Sequence, residues 1–242
     1  MNNINFDPID LTQALVRCPS VTPSDNGALD IVENHLTYLG FRCTRLPFSK
    51  TNYDNVDNLF TSIGSTGKNL AYAGHTDVVP PGNESSWKYP PFSATIDGDK
   101  LYGRGSEDMK SNIACFISAT NDFINKHGKD FNGQISFIIT GDEEKEAVNG
   151  TIKIMRWTKD NNINFDHCIV GEPTSNEVIG DKIKIHDKDM PIEALIEDIK
   201  AFHLHLRTDE GELITYPNNL ILQKAVSLIQ KDVFLDEGKN AL

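Results

Sequence analysis

Acidic side chains and one histidine follow several short apolar runs of this 242-residue chain. The residues are His75 and Asp77 in Gly-His-Thr-Asp, Asp108, Asp142-Glu143-Glu144, and Glu172 in Gly-Glu-Pro. One imidazole with several carboxylates suits a divalent cation such as zinc, and a carboxylate beside a ligand can act as a general base. The residue types and their spacing therefore predict a hydrolytic site for two metal ions.

His75 has a simpler alternative, because a lone histidine after a strand is usually held in the core by hydrogen bonds. Asp77 favours the metal role, since a carboxylate two residues later can accept the imidazole N–H and orient the ring toward a metal. Asp108 precedes a predicted helix and could instead be its N-cap.

Asp142, Glu143 and Glu144 could form a solvated loop or the first turn of a helix. In a crevice, however, three adjacent acids would repel one another without a cation. If Glu144 binds a metal, Glu143 is placed to take a proton from a water molecule. Glu172 has the same two alternatives, loop acid or ligand.

Periodic apolar residues indicate the elements that must position these side chains. Helical spacing predicts helices over 9–17, 28–39 (ending at Gly40), 109–123 and 148–157. Strand-length apolar runs cover 69–74, 134–140 and 168–171. This alternation predicts an α/β fold, a mixed and mostly parallel sheet flanked by helices. The candidate residues then follow the carboxyl ends of strands, where such sheets gather ligands.

The pattern of apolar and charged residues changes after Asp181. This change predicts one domain over 1–181 and a smaller one over 182–242. Residues 202–207 alternate like a strand and would place His203 and His205 on one face, where they could bind zinc. The commoner arrangement is a histidine pair on the exposed face of a small sheet. Residues 220–229 have a helical period.

The amino-acid composition indicates which classes of binding partner to expect. A net charge of -12 and a pI near 5.0 argue against nucleic acid and against an anionic membrane, which leaves small molecules and metal ions. The N-terminus lacks a basic and apolar leader, so we expect a cytoplasmic protein. The cysteines have no C-x-x-C spacing and are expected to be free, buried thiols. They are Cys18, Cys43, Cys115 and Cys168.

Several long motifs occur in one order. They are G-H-T-D-V-V-P-P-G-N-E-S-S-W-K-Y-P-P-F, D-G-D-K-L-Y-G-R-G-S-E-D-M-K, G-Q-I-S-F-I-I-T-G-D-E-E and I-V-G-E-P-T-S. This set resembles the succinyl-diaminopimelate desuccinylases, a family of dinuclear-zinc hydrolases, over about residues 9 to 185. The resemblance implies a zinc-peptidase-like catalytic domain with part of an α+β lid and dimerisation domain.

For the chemistry, the resemblance implies hydrolysis of the amide of N-succinyl-L,L-2,6-diaminopimelate to succinate and diaminopimelate, a precursor of lysine and peptidoglycan. His75 and Glu172 would bind one zinc, Glu144 the other, and Asp108 would bridge them. Asp77 would orient His75, and Glu143 would be the general base. Cobalt is a possible substitute for zinc, and the family is homodimeric.

The chain departs from the family pattern in its last quarter. Residues 186–214 do not match, and Leu213 stands where the family has a lid histidine. The rest of the lid and a final histidine ligand of the second metal would follow residue 242. We therefore expect one strong and one weak metal position, and reduced or absent activity. Two alternatives stay open: a non-catalytic metal-binding or interaction module, and a deacylase of another N-acyl amino acid.

Overall fold

The structure, a computed structural model, describes residues 4–173 in full. Beyond them it describes the backbone of five strands, at 182–186, 192–199, 203–207, 213–217 and 225–229. The chain divides into two compact units, Met1–Pro173 and Thr174–Leu242. The predicted domain boundary at residue 181 lies outside the described residues and stays a prediction.

The first unit alternates helices and strands. Its helices are α1 (Pro8–Val16), α2 (Ala28–Leu39), α3 (Ser111–His127) and α4 (Thr151–Asp160). Its strands are β1 (Arg42–Arg45), β2 (Leu59–Gly64), β3 (Asn69–His75), β4 (Thr95–Asp97), β5 (Lys100–Tyr102), β6 (Gln134–Thr140) and β7 (His167–Val170). A short π-helical segment, Ser106–Lys110, precedes α3.

The main sheet has the strand order β1-β2-β6-β3-β7. Strand β3 pairs in parallel with β6 on one side and β7 on the other, whereas β1 and β2 are antiparallel to their neighbours. This confirms the predicted mixed sheet, and its parallel part contains the strands that lead into the candidate residues. Strands β4 and β5 form a separate hairpin.

Helices cover both faces of the sheet because successive side chains of a strand point to opposite faces. Tyr72 and Phe137 face a core built with α1, α2 and α3, while Ala71 and Ile138 face a second core that includes Ile154 of α4. Continuous apolar runs in β3 and β6 follow from this two-sided burial.

The four helices predicted in the first unit all form, and all but α2 have shifted ends. Asp7 caps α1 by accepting hydrogen bonds from the amides of Ile9 and Asp10. Helix α2 ends as predicted at Gly40, whose φ of 95° is the left-handed conformation that glycine adopts most easily. Helices α3 and α4 begin two and three residues later than predicted, because the segments before them are held by other contacts.

The described strands of the second unit form one antiparallel sheet in the order β11-β10-β9-β8-β12. They are β8 (Lys182–His186), β9 (Ile192–Ile199), β10 (His203–Arg207), β11 (Leu213–Pro217) and β12 (Ala225–Ile229). Strand β10 confirms the strand that the alternating residues 202–207 predicted. The helix predicted over 220–229 is wrong at Ala225–Ile229, and 220–224 lie outside the described residues. A short apolar run fits either period, and pairing with β8 decides for the strand.

The four cysteines are free thiols, as expected, but they are not fully buried. Cys18 and Cys43 are half-buried, whereas Cys115 and Cys168 are exposed. Cys168 lies on β7, the last of the described strands at one edge of the main sheet. Cys115 faces an open groove beside Ile9. Among the described residues, no helix is both long and apolar enough to cross a bilayer.

Candidate metal centre

Three strand ends meet at one edge of the main sheet. His75 is the last residue of β3 and lies opposite Thr140, the last residue of β6. Strand β7 pairs with the other side of β3 and ends at Val170, which lies opposite Ala73. The segments after β6 and β7 carry Glu143, Glu144 and Glu172, so this register brings residues distant in sequence into one crevice.

His75 lies at the bottom of this crevice with its side chain only 1% exposed. Its Nδ1 lies 2.9 Å from the carbonyl oxygen of Asp77, which can only accept, so Nδ1 carries the proton. The other nitrogen, Nε2, lies 3.1 Å from Asp108 Oδ1, 3.4 Å from Glu172 Oε1 and 3.8 Å from Glu143 Oε2. The ring therefore turns Nε2 toward three carboxylates.

Two overlapping groups of side chains have the composition of a metal site. One contains His75, Asp108 and Glu144, and the other contains His75, Glu143 and Glu172. In each group one ligand atom per residue lies within 4.8 Å of the others. The structure thus brings together the four predicted metal ligands and Glu143. The division of these residues between two metals, with Glu143 as a base, stays a prediction.

Asp108 is carried by the π-helical segment before α3. Helix α3 begins at Ser111, and Asp108 has a non-helical backbone with φ -109° and ψ 96°. The alternative that Asp108 caps this helix is therefore wrong. The fully buried Lys110 fixes the segment, since its Nζ donates to the carbonyl oxygens of Leu15 at 3.0 Å and Cys18 at 2.9 Å.

Asp77 holds the loop after β6. Its carboxylate accepts hydrogen bonds from the backbone amides of Glu143 and Glu144 at 3.0 to 3.2 Å. Its Oδ1 also lies 3.5 Å from His75 Nδ1. Farther along the loop, the buried Asp142 carboxylate accepts from the amide of Asn149 at 2.7 Å. These bonds keep the loop out of helical conformation and explain why α4 begins late.

Glu172 follows a tight contact at Gly171. The Asn112 side chain at the start of α3 donates to the Gly171 carbonyl. A Cβ added at Gly171 would lie 2.1 Å from the Tyr72 hydroxyl and 2.5 Å from Met109 Cε. Glycine is required here because backbone and aromatic ring approach so closely.

Sequence reasoning missed Lys110, Asn112 and Tyr72 as supports of the site. Lys110 lies in the quoted motif Asp-Met-Lys, which was the only signal for any of them. Asn112 looks like an ordinary residue of a helix, and Tyr72 like one of an apolar strand. Their importance depends on long-range contacts.

The charges of the crevice shift the pKa values of its residues. Burial alone would lower the pKa of His75, but hydrogen bonds to Asp108 and Glu172 and the charge of Asp77 raise it to about 11. Burial and the charge of Asp108 raise the pKa of Glu144 to about 7.

Burial, with the charges of Glu172, Asp77 and Asp108, also raises the pKa of Glu143. The hydrogen bond with His75 lowers the pKa of Asp108. Without a metal, protons on His75 and Glu144 therefore balance part of the negative charge.

His203 and His205 belong to the second unit. Both lie on β10, as the alternating pattern predicted, and are two positions apart with no irregularity between them. Their side chains lie outside the described part of the chain, so zinc binding by this pair stays a prediction.

A search against protein-family models matches residues 71–236 to Peptidase family M20/M25/M40. The chain belongs to this family. The matched region contains every candidate ligand. Members of the M20 family are metallohydrolases, and the chemistry of the clustered side chains agrees with binding of divalent metal ions.

Curated relatives in the M20 family carry the name succinyl-diaminopimelate desuccinylase. One from Bradyrhizobium sp. (strain ORS 278) is 46% identical over 198 residues, which are 82% of this chain and 52% of the relative. One from Methylorubrum populi is 51% identical over 178 residues, 74% of this chain and 46% of the relative. The resemblance found in the sequence is confirmed. The chain spans about half the length of these relatives.

Solved structures support the M20 fold. Human carnosine dipeptidase 1 aligns with a TM-score of 0.59 at 22% identity, over 76% of this chain and 46% of the dipeptidase. The M20 family metallo-carboxypeptidase Sso-CP2 from Sulfolobus solfataricus also has a TM-score of 0.59 at 22% identity, over 82% of this chain and 45% of its own. The predicted zinc-peptidase-like architecture is confirmed at the level of fold.

Proposed function

We propose that this chain is a zinc-dependent amide hydrolase acting on N-succinyl-L,L-2,6-diaminopimelate, which it cleaves to succinate and diaminopimelate. The observation that carries the proposal is the position of His75 Nε2, within 3.1 to 3.8 Å of the carboxylates of Asp108, Glu172 and Glu143. The names of these curated relatives support this substrate. The homodimer that the resemblance implies is part of the same proposal.

The donor atoms fit one or two divalent cations. One imidazole nitrogen and several carboxylate oxygens form a set that zinc accepts and that cobalt accepts similarly. The raised pKa values of His75 and Glu144 give a second argument, because a cation can replace the protons that now balance the charge. In the proposed assignment His75 and Glu172 hold one metal, Glu144 holds the other, and Asp108 bridges them.

The residues around the metals would divide the work of hydrolysis. Zinc bound there would act as a Lewis acid and make water more acidic. Glu143 would accept the proton of the attacking water and pass it to the leaving amine. Its carboxyl is half exposed, so it can reach both water and substrate. Asp77 would keep the proton of His75 on Nδ1, which leaves Nε2 free to bind metal.

A second candidate function is a metal-binding module without turnover. It is favoured by Leu213, which stands where the family that this sequence resembles has a lid histidine. The two candidates share the metal site and differ in catalysis. A third, removal of another N-acyl group, would differ only in the substrate accepted.

The test is zinc content and turnover of the purified full chain, with Glu143→Gln as the matched variant. We expect bound zinc in both proteins, and hydrolysis of N-succinyl-diaminopimelate only in the wild type. Bound zinc without wild-type turnover would favour the metal-binding module. Turnover of other N-acyl amino acids alone would favour the third candidate. A wild-type chain that binds no zinc would refute the metal site.

A further inference from the structure

The carboxylate of Asp77 makes its shortest contact to a residue outside the proposed catalytic set. Oδ2 of Asp77 accepts a hydrogen bond from the Thr22 hydroxyl at 2.6 Å, and from the amides of Glu144 at 3.0 Å and Glu143 at 3.1 Å. The distance from Oδ1 to His75 Nδ1 is longer, 3.5 Å. The nearest partner of that nitrogen is the Asp77 carbonyl oxygen at 2.9 Å. The carboxylate therefore holds the 143–144 backbone more closely than it holds the imidazole.

Thr22 is itself fixed by the main chain. The segment after α1 runs beside the segment after β3, where Ser20 Oγ donates to the Thr76 carbonyl at 2.6 Å. The amide of Val78 donates to the Ser20 carbonyl at 2.9 Å, and the amide of Thr22 reaches the Val78 carbonyl at 3.4 Å. These bonds set the position of the Thr22 backbone without help from the acidic loop.

We propose that Thr22 is a positioning residue for the acidic loop. Through Asp77 it sets the backbone of Glu143 and Glu144, and so the placement of their carboxylates. The side chain of Asp77 is only 2% exposed, so water cannot easily replace a lost donor. A buried carboxylate that loses one donor binds its remaining donors in an altered geometry. The inference rests on the proposed function only for the use of the two carboxylates, because the contacts exist without it.

The first experiment compares Thr22→Val with Thr22→Ser in the metal-free full chain. Valine keeps the branched shape and removes the hydroxyl, while serine keeps the hydroxyl. Hydrogen exchange of the Glu143 and Glu144 amides is measured by NMR. Loss of one hydrogen bond to a charged group predicts exchange about tenfold faster in Thr22→Val, with Thr22→Ser within about threefold of wild type. Amides of β2, on the far side of β6, report any global loss of stability.

Unchanged exchange at Glu143 and Glu144 in Thr22→Val would overturn the proposal, as would equal changes in Thr22→Val and Thr22→Ser. If Thr22→Val does not fold, Thr22→Ala and Thr22→Ser give the same comparison with a smaller side chain. Faster exchange that extends equally to β2 would assign Thr22 a general stabilising role instead.

The second experiment titrates Zn²⁺ into the same proteins by calorimetry. We expect Thr22→Val to weaken the metal position that uses Glu144 about tenfold, and the position that uses His75 and Glu172 by less than about threefold. Thr22→Ser should bind like the wild type. If exchange is faster in Thr22→Val but both zinc affinities are unchanged, the positioning role is wrong. If the wild type binds no Zn²⁺, the proposed function fails while the exchange experiment still decides the contact between Thr22 and the loop.

Discussion

The floor of the metal centre, His75 and Asp77, differs from its acidic rim, Asp108, Glu143, Glu144 and Glu172. The side chains of the floor are 1% and 2% exposed, whereas those of Asp108 and Glu143 are about half exposed, at 52% and 50%. Fixed backbone groups bind the floor: the Asp77 carbonyl accepts from His75, and two loop amides donate to the Asp77 carboxylate. Within the described residues, the rim carboxylates approach the floor mainly through His75 Nε2.

This difference separates two physical requirements. The floor is pre-organised by hydrogen bonds that need no metal, so its geometry belongs to the fold. The rim gathers negative charge that a proton or a cation must balance. Variants of Asp77, which contacts both His75 and the 143–144 backbone, should therefore affect both metal positions, whereas variants of Glu144 and Glu172 should each affect one position.

The largest effect is expected from His75→Ala. In the proposed assignment His75 and Glu172 hold one metal, so removal of the imidazole should weaken zinc binding at that position on the order of a thousandfold or more, because one ligand contributes several of the roughly 10–16 kcal/mol of a structural zinc site. Calorimetric titration with Zn²⁺ measures the change. His127→Ala, at the exposed end of α3, is the matched control and should bind zinc like the wild type. Unchanged zinc affinity at the position that uses Glu172 would show that His75 is not a ligand there.

A smaller and selective effect is expected at the rim. Glu172→Gln and Glu144→Gln should each weaken one position about a hundredfold and leave the other within about tenfold, since loss of an outer partner of a ligand alone costs 10–100-fold. Zinc stoichiometry and stepwise affinities measure the two positions separately. If both variants weaken the same position, the proposed division of ligands between two metals is incorrect.

Gly171→Ala should disturb the segment that carries Glu172 of the rim. Its Cβ would overlap the Tyr72 hydroxyl, so we expect a loss of about 1–3 kcal/mol in the free energy of unfolding, the usual cost of overpacking. Gly133→Ala, which meets its neighbours at ordinary distances, is the control. Urea denaturation measures both.

Tyr72→Phe removes the hydroxyl that the new Cβ of Gly171→Ala would overlap. The Tyr72 hydroxyl is buried with no hydrogen-bond partner in the described residues, so its removal should be neutral or slightly stabilising. It should also recover part of the loss in Gly171→Ala. No recovery would place the overlap at Met109 instead.

The smallest effect is a change in the pH dependence of zinc affinity. A metal must displace the proton of His75, whose pKa is about 11, and below pH 7 also that of Glu144, whose pKa is about 7. Binding that releases protons strengthens as pH rises, by about tenfold per pH unit for each proton. The slope for binding of the two metals together should therefore fall from two decades toward one as pH passes 7. In Glu144→Gln the slope should stay near one decade per pH unit. The same fall in slope near pH 7 in that variant would exclude Glu144 as the group that causes it.

Strands β3 and β6 could be predicted from the sequence because two-sided burial leaves a continuous apolar run that few other structures produce. The candidate ligands could be predicted because acids at strand ends are costly unless they serve a site. The helix expected at Ala225–Ile229 could not be corrected from its own residues, since five residues fit both periods and the partner strand decides. The exposure of Cys115 and Cys168 likewise depends on which elements lie beside them.

The sequence by itself determined the family, the alternation of strands and helices, and the residue types of the metal centre, because these depend on local patterns and motif order. Only the tertiary structure decided which groups support those residues. The hydrogen bonds that the buried Lys110 donates to Leu15 and Cys18, and those that Thr22 and the 143–144 amides donate to Asp77, join residues 55 to 95 positions apart. The physical reason is that a hydrogen bond depends on distance and direction in space, which no spacing along the chain specifies.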